Sequence, residues 1–197
     1  MIGYVQGEIV FLDLTQVIID VGGIGYEIRI SLNTYTHLKD LSKVRLHTYL
    51  QIREDAHVLF GFYNLEEKIL FTQLVSVSGV GPSTAMMVLS SMEVNDIEDA
   101  IASGDVITLK RIKGIGQKTA ERIILELKDK IRKGKGYDRD AGSNVVTHQT
   151  VRNEALAALI TLGIQKSAAE KIIQAIILKH GKDITLEELI KLALKSA

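Results

Sequence analysis

The sequence predicts a multidomain chain of mixed α and β structure. A five-stranded β-barrel comes first, then an all-α region, a linker and a three-helix bundle. Three observations predict this. Up to residue 62 the apolar residues alternate in short runs broken by glycine, which is the signature of strands. From residue 64 the apolar spacing changes to the helical i, i+3, i+4 pattern. Over residues 133–150 periodicity disappears in a glycine-rich polar stretch, and it returns as helical spacing from residue 151 onward.

The first three strands are predicted within residues 2–12, 17–21 and 26–30, the last two joined around Gly22-Gly23. Residues 33–41 suit a short helix or a loop. Val44, Leu46, Thr48, Leu50 and Ile52 alternate cleanly, and Val58 to Phe62 makes a fifth strand. Five short strands with one helix-like insertion suggest a small Greek-key barrel of the OB type over residues 1–63, with a five-stranded open sheet as the alternative. Between the last two strands, Arg53-Glu54-Asp55-Ala56-His57 puts adjacent carboxylates, Glu54 and Asp55, at a hairpin tip. Asp favours turns for local reasons. In a chain that otherwise holds phosphates, the same pair would serve to exclude them.

Residues 64–132 read as helical. Leu65 to Leu74 forms one helix and Ala85 to Leu89 another. Val94, Ile97, Ala100 and Ile101 mark a third, with Asn95 or Asp96 near its cap, and Asp105 opens a short fourth. Leu109 and Ile112 precede Gly114-Ile115-Gly116. Ala120, Ile123, Ile124 and Leu127 follow it at amphipathic spacing, so two helices meet at a two-glycine turn. Such a turn keeps side chains away from an approaching ligand. The helix that follows begins with unpaired N–H groups and the positive end of its dipole, which together attract an anion. Lys118 adds a charge in that first turn. The same object occurs earlier at one fixed offset. Gly79, Val80 and Gly81 match Gly114, Ile115 and Gly116, and Thr84-Ala85 match Thr119-Ala120. Pro82 falls at the first helical position, where a missing N–H costs nothing. One G-x-G is weak; two in register are a repeat. This is a tandem helix-hairpin-helix, a resemblance that implies sequence-independent binding of a nucleic-acid backbone.

After the linker at 133–150, helices resume over residues 151–197. Ala155, Leu156, Leu159, Ile160 and Leu162 make one face, stopped by Gly163. Ala168 or Ala169 with Ile172, Ile173, Ile176 and Ile177 makes the second helix. Leu186, Leu189, Ile190 and Ala193 make the third, with Thr185 and Glu188 at near-capping spacing. The bundle resembles ubiquitin-associated (UBA-like) bundles, where the loop after the first helix offers apolar side chains to a protein partner.

Composition narrows the functional classes. The chain has no cysteine, which removes disulfides, thiol nucleophiles and thiolate metal sites and fits a cytoplasmic protein. The five histidines at 37, 47, 57, 148 and 180 show no metal-ligand spacing, so no metal is expected. The opening residues lack a signal-peptide pattern, and no apolar run reaches membrane-spanning length. Net charge is zero, yet residues 109–136 hold ten Lys/Arg against three acids, a balance of +7, whereas residues 1–63 hold five bases and seven acids. A local basic face is what phosphate binding requires.

Barrel, acidic R-E-D-A tip, G-V-G-P and G-I-G-x-K-T-A-E-R hairpins, linker and three-helix tail, in that order, resemble the bacterial Holliday-junction-binding RuvA family along essentially the whole chain. The resemblance implies a homotetramer that binds four-way junction DNA, one tetramer or two face to face. It implies recruitment of the RuvB ATPase by the tail, ATP-driven branch migration in recombination and repair, and the RuvC resolvase as a further partner. It implies no catalysis and no cofactor in this chain, ATP and Mg being used by the partner motor. Carried onto these residues, the DNA-backbone contacts are Gly79, Val80, Gly81, Pro82, Ser83, Gly114, Ile115, Gly116, Gln117, Lys118, Thr119 and Arg122. Glu54 and Asp55 are the central acidic pin. Leu159, Leu162, Ile164 and Leu194 are the motor contacts. Ser83 and Gln117 stand where family members often carry lysine, so the first hairpin should lean on backbone donors. Two rival classes compete with this reading: a hairpin DNA glycosylase or lyase using Lys118 with Asp138, and a pure protein scaffold. Asp138 falls in the predicted linker, out of catalytic reach, and the +7 balance opposes the scaffold.

Overall fold

The structure is a computed structural model that describes residues 1–135, 146–180 and 184–196. It divides into two compact units, Met1–Asp138 and Arg139–Ala197.

The first unit begins with strands β1 (Tyr4–Leu12), β2 (Gln16–Val21) and β3 (Ile24–Ile30), helix α1 (Leu32–Leu38), and strands β4 (Lys43–Ile52) and β5 (His57–Phe62). The strands close in the order β1-β2-β3-β5-β4, with β4 returning to pair β1. Only β3 and β5 run parallel. The open-sheet alternative is therefore excluded. Alternation does the work here: Val17 and Ile19, Ile28 and Ile30, and Val44 and Leu46 all point inward and are buried, while their neighbours face out. Leu38 from α1 joins that barrel core. Of the helix and loop expected over residues 33–41, the helix forms as α1 and residues 39–41 lie beyond its end; Ser31 opens it, its hydroxyl accepting from the Thr34 N–H at 3.0 Å.

Helices α2 (Leu65–Val75), α3 (Pro82–Ser91), α4 (Val94–Ser103), α5 (Val106–Lys110) and α6 (Gln117–Lys135) follow. Their core is not separate from the barrel. Phe60 and Phe62 of β5 belong to the same buried cluster as Leu70, Phe71, Leu74, Leu109 and Ile123. The Phe71 ring lies 4.9–5.3 Å from the rings of Tyr49, Phe60 and Phe62. One expectation about an element end is sharpened and another holds. The N-cap position of α4 is Glu93, which holds the extended conformation (φ −67°, ψ 151°), and half-buried Val94 begins the helix, so Asn95 and Asp96 lie in the first turn beside the cap. Asp105 does cap α5, accepting from the Thr108 N–H and hydroxyl at 3.0 and 2.6 Å. Those two bonds hold its carboxyl below the usual carboxylate range.

The second unit contains α7 (Val146–Thr161), α8 (Lys166–His180) and α9 (Leu186–Ser196). Ala155, Leu159, Ala169, Ile173, Ile176, Leu189 and Ala193 form its core. Gly163 (φ 92°) ends α7, and the Thr185 hydroxyl caps α9 by accepting from the Glu188 N–H at 3.3 Å. The expected linker at 133–150 is shorter at both ends. Residues 133–135 finish α6 and residues 146–150 begin α7, since nothing in Val146 to Thr150 breaks a helix. The remainder of that stretch lies outside the described residues, as does Asp138.

Candidate nucleic-acid interface

The two glycine turns are the same structure twice. In the first, Val77 N–H donates to Leu74 O, Val80 N–H to Val77 O and Ala85 N–H to Gly81 O, at 3.0, 3.0 and 2.9 Å. In the second, Ile112 N–H donates to Leu109 O, Ile115 N–H to Ile112 O and Ala120 N–H to Gly116 O, at 3.2, 3.1 and 3.0 Å. The first glycine of each pair is left-handed, Gly79 at φ 87° and Gly114 at φ 89°, a conformation that side chains resist. The second glycine needs no such freedom. A Cβ at Gly81 or Gly116 would meet nothing within 4 Å. These two positions are open approaches to the helix starts behind them.

Val80 and Ile115 do not match their assigned role. Both side chains are buried and both N–H groups are engaged within the turn. They staple each turn to the core. Pro82 is also buried and has no N–H to offer. The donors left at the first seat are the N–H groups of Gly81, Ser83 and Thr84; at the second they are those of Gly116, Gln117, Lys118 and Thr119. Ser83, Gln117 and Lys118 are exposed, while Thr119 is half-buried. The Gln117 side chain donates to Glu121 and is thereby held along the helix.

The hairpins also serve each other. A Cβ on Gly79 would lie 3.7 Å from the Arg122 guanidinium, and one on Gly114 would lie 3.8 Å from Met87 Sδ. Met87 and Arg122 occupy equivalent places in the repeat, each eight residues past the first glycine of its own turn. Arg122 donates from one guanidinium nitrogen to Ser78 O at 2.9 Å and to Ser78 Oγ at 3.2 Å. It thus brings a positive charge from the second repeat to the first turn. Sequence reasoning placed Arg122 with the second hairpin; the offset that pairs it with Met87 was the available signal for the exchange. No lysine or arginine lies between Lys68 and Lys110, so the first hairpin has no cation of its own.

Glu54 and Asp55 stand exposed in the loop between β4 and β5, closed by Arg53 N–H donating to Ala56 O at 2.8 Å. Among the described residues neither carboxylate has an ion-pair partner. In the second unit, Leu162 and Leu194 are 60% and 48% exposed and Ile164 is half-buried, but Leu159 is wholly buried in the core. Leu159 therefore supports the surface and cannot be a contact on it. Among the described residues no His/Cys/Asp/Glu group could hold a metal ion, and no helix is long and apolar enough to cross a membrane.

Comparison with known proteins agrees with this layout. The family model for the RuvA N terminal domain matches residues 1–61, that for the SAM-like helix-hairpin-helix tandem matches residues 71–129, and that for the RuvA C-terminal domain matches residues 150–197. The chain is 52% identical to the Holliday junction branch migration complex subunit RuvA of Cytophaga hutchinsonii, over 99% of each chain. It is 50% identical to the subunit of the same name from Amoebophilus asiaticus (99% of this chain, 100% of that one). It is 45% identical to that of Flavobacterium psychrophilum over the whole of both chains. With all three parts matched in order and full-length relatives at this identity, the chain belongs to the RuvA family.

Proposed function

We propose that this chain is the non-catalytic, junction-binding subunit of a Holliday junction branch-migration complex, acting in DNA recombination and repair. The observation that carries the reading is the pair of glycine turns with the same hydrogen bonds and the same left-handed first glycine, each backed by a helix start with unpaired N–H donors. Such N–H groups donate to any phosphate and read no base, which suits a protein that must hold DNA while its sequence moves past. The exposed, unpaired Glu54 and Asp55 supply the opposite effect, repelling phosphates from one place.

In this reading four copies assemble on one four-way junction and pool their acidic tips at its centre. The C-terminal unit presents Leu162, Ile164 and Leu194 to the RuvB ATPase, which spends ATP with Mg while this chain binds no cofactor. RuvC is a third participant, and the setting is the cytoplasm. The test is direct. The protein should bind a synthetic four-armed DNA more tightly than plain duplex of the same arm length, with a solution mass of four or eight chains. Removing residues 151–197 should leave that binding intact and stop stimulation of the motor ATPase. Equal affinity for junction and duplex would overturn the reading.

A further inference from the structure

The barrel carries the acidic tip and the helices carry the phosphate seats, so the two must be held in register. Phe71, packed on Tyr49, Phe60 and Phe62, joins the two by burial and ring contact. A polar clamp lies beside it. Glu67, in the first turn of α2, is buried, and its two carboxylate oxygens accept the hydroxyl protons of Ser31 and, at 2.7 Å, Thr34. Both hydroxyls are buried and belong to the start of α1, the helix inserted in the barrel. Thr34 Oγ1 in turn accepts from the Tyr63 N–H at 3.1 Å, where the barrel ends and α2 is about to begin. The same end of α1 reaches α3. Leu32 N–H donates to Ser90 Oγ at 3.1 Å, and Asn33 Nδ2 donates to Met92 O at 2.9 Å. Both helices of the first hairpin are therefore tied to one short helix of the barrel.

Directional bonds to a buried carboxylate tolerate little sliding, and a buried network that is fully satisfied specifies one arrangement. We propose that Glu67, gripped by Ser31 and Thr34, is the positioning residue that fixes the acidic tip relative to the first phosphate seat and so sets the preference for four-way junctions over plain duplex. The part concerning DNA preference rests on the function proposed above; the part concerning register does not.

The chain has no cysteine, so spin labels can be placed cleanly at Ala56→Cys beside the tip and Ser76→Cys beside the first turn. The full-length labelled protein, diluted with unlabelled chain, gives the tip-to-seat distance distribution by pulsed electron resonance. In Glu67→Leu the distribution should widen. The ratio of junction to duplex affinity should fall by about tenfold while duplex affinity stays within about twofold. Glu67→Gln, which keeps an acceptor for a hydroxyl, should restore both. A folded Glu67→Leu protein with an unchanged distribution, or a widened one with intact preference, overturns the proposal. Should Glu67→Leu not fold, Thr34→Val against Thr34→Ser is read in the same way. A wild-type protein without junction preference would instead refute the proposed function, and the distance distribution would still decide the clamp.

Discussion

Substituting the two glycines of one turn should produce opposite failures. At Gly114 the backbone is left-handed, and any other L-residue there costs about 1–2 kcal/mol. The added methyl meets only Met87 Sδ at 3.8 Å, an ordinary contact, so the cost is backbone strain alone. Gly114→Ala should therefore lower the melting temperature by about 2–8 °C for a unit of this size. At Gly116 the backbone suits any residue and the new methyl meets nothing. There the stability change should be within about 0.5 kcal/mol, as for an unstrained surface site. The methyl instead stands where a phosphate would approach the N–H groups behind it. Losing one charge-assisted hydrogen bond is worth about 1.5–3 kcal/mol, or about 10- to 150-fold in affinity. Gly116→Asp adds a repelling charge and should abolish binding. Urea denaturation and fluorescence anisotropy on a labelled four-armed DNA measure the two effects separately. If Gly116→Ala binds normally, the seat is not a seat. If Gly114→Ala is as stable as wild type, the left-handed turn is not what holds it.

Changing Glu54 and Asp55 together to Gln should preserve or raise affinity for plain duplex in the same anisotropy assay; a clear fall would count against repulsion. Arg122→Gln should flatten the slope of log affinity against log salt by about 0.9 for each phosphate that Arg122 neutralises, and an unchanged slope would remove Arg122 from the DNA contact. Burial raises the Glu67 carboxyl above its ordinary value of 4.5, the hydroxyl donors offsetting this only in part. Between that value and the raised one, the folded protein holds a proton the unfolded chain has released. Wild-type stability should then fall with rising pH across that window relative to Glu67→Gln, and level off above it. A gap between the two proteins that is constant from pH 4 to 8, where urea denaturation is run over roughly this range, would refute the assignment. In the second unit, Leu159→Ala should cost about 2–5 kcal/mol of its stability. Leu162→Ser should leave stability nearly unchanged and weaken stimulation of the motor ATPase; the reverse pattern would exchange core and surface.

The barrel and both turns were legible because each rests on local signals. Alternation fixes which face of a strand is buried, and a repeated glycine pair fixes a turn. What stayed hidden depended on partners far along the chain. Arg122 reads as one more cation on a basic helix; its bond to Ser78 spans 44 residues. Glu67 reads as an acid suited to the first turn of a helix, yet it is buried because α1 brings two hydroxyls to it. Val80 and Ile115 sat inside a binding motif and so were read as contacts, though an apolar residue between two glycines anchors a turn better than it holds a phosphate. Leu159 failed in the same direction: the face of a helix shows in its period, but which end of that face is covered does not. The start of α7 stayed hidden because Val and Thr at 146–147 and 150–151 carry weak helix propensity, although they break nothing.

The asymmetry between the two repeats explains how a chain of zero net charge can hold DNA. The second hairpin is flanked by Lys110, Arg111, Lys113 and Lys118, all exposed, and can attract a backbone from a distance. The first carries no lysine or arginine of its own, and among the described bonds the cation at its turn is Arg122, lent across the repeat. It has instead what the second lacks in the described bonds, a direct tie to the barrel through Ser90, Met92 and Glu67. Duplication of one motif has thus divided two requirements that conflict in a single site. Strong charge favours binding anywhere on a backbone, whereas discrimination needs a seat at a fixed distance from a repelling tip. In the proposed reading, charge on the second turn and attachment on the first let the chain do both, and the Arg122–Ser78 bond ties the charged helix to the first turn.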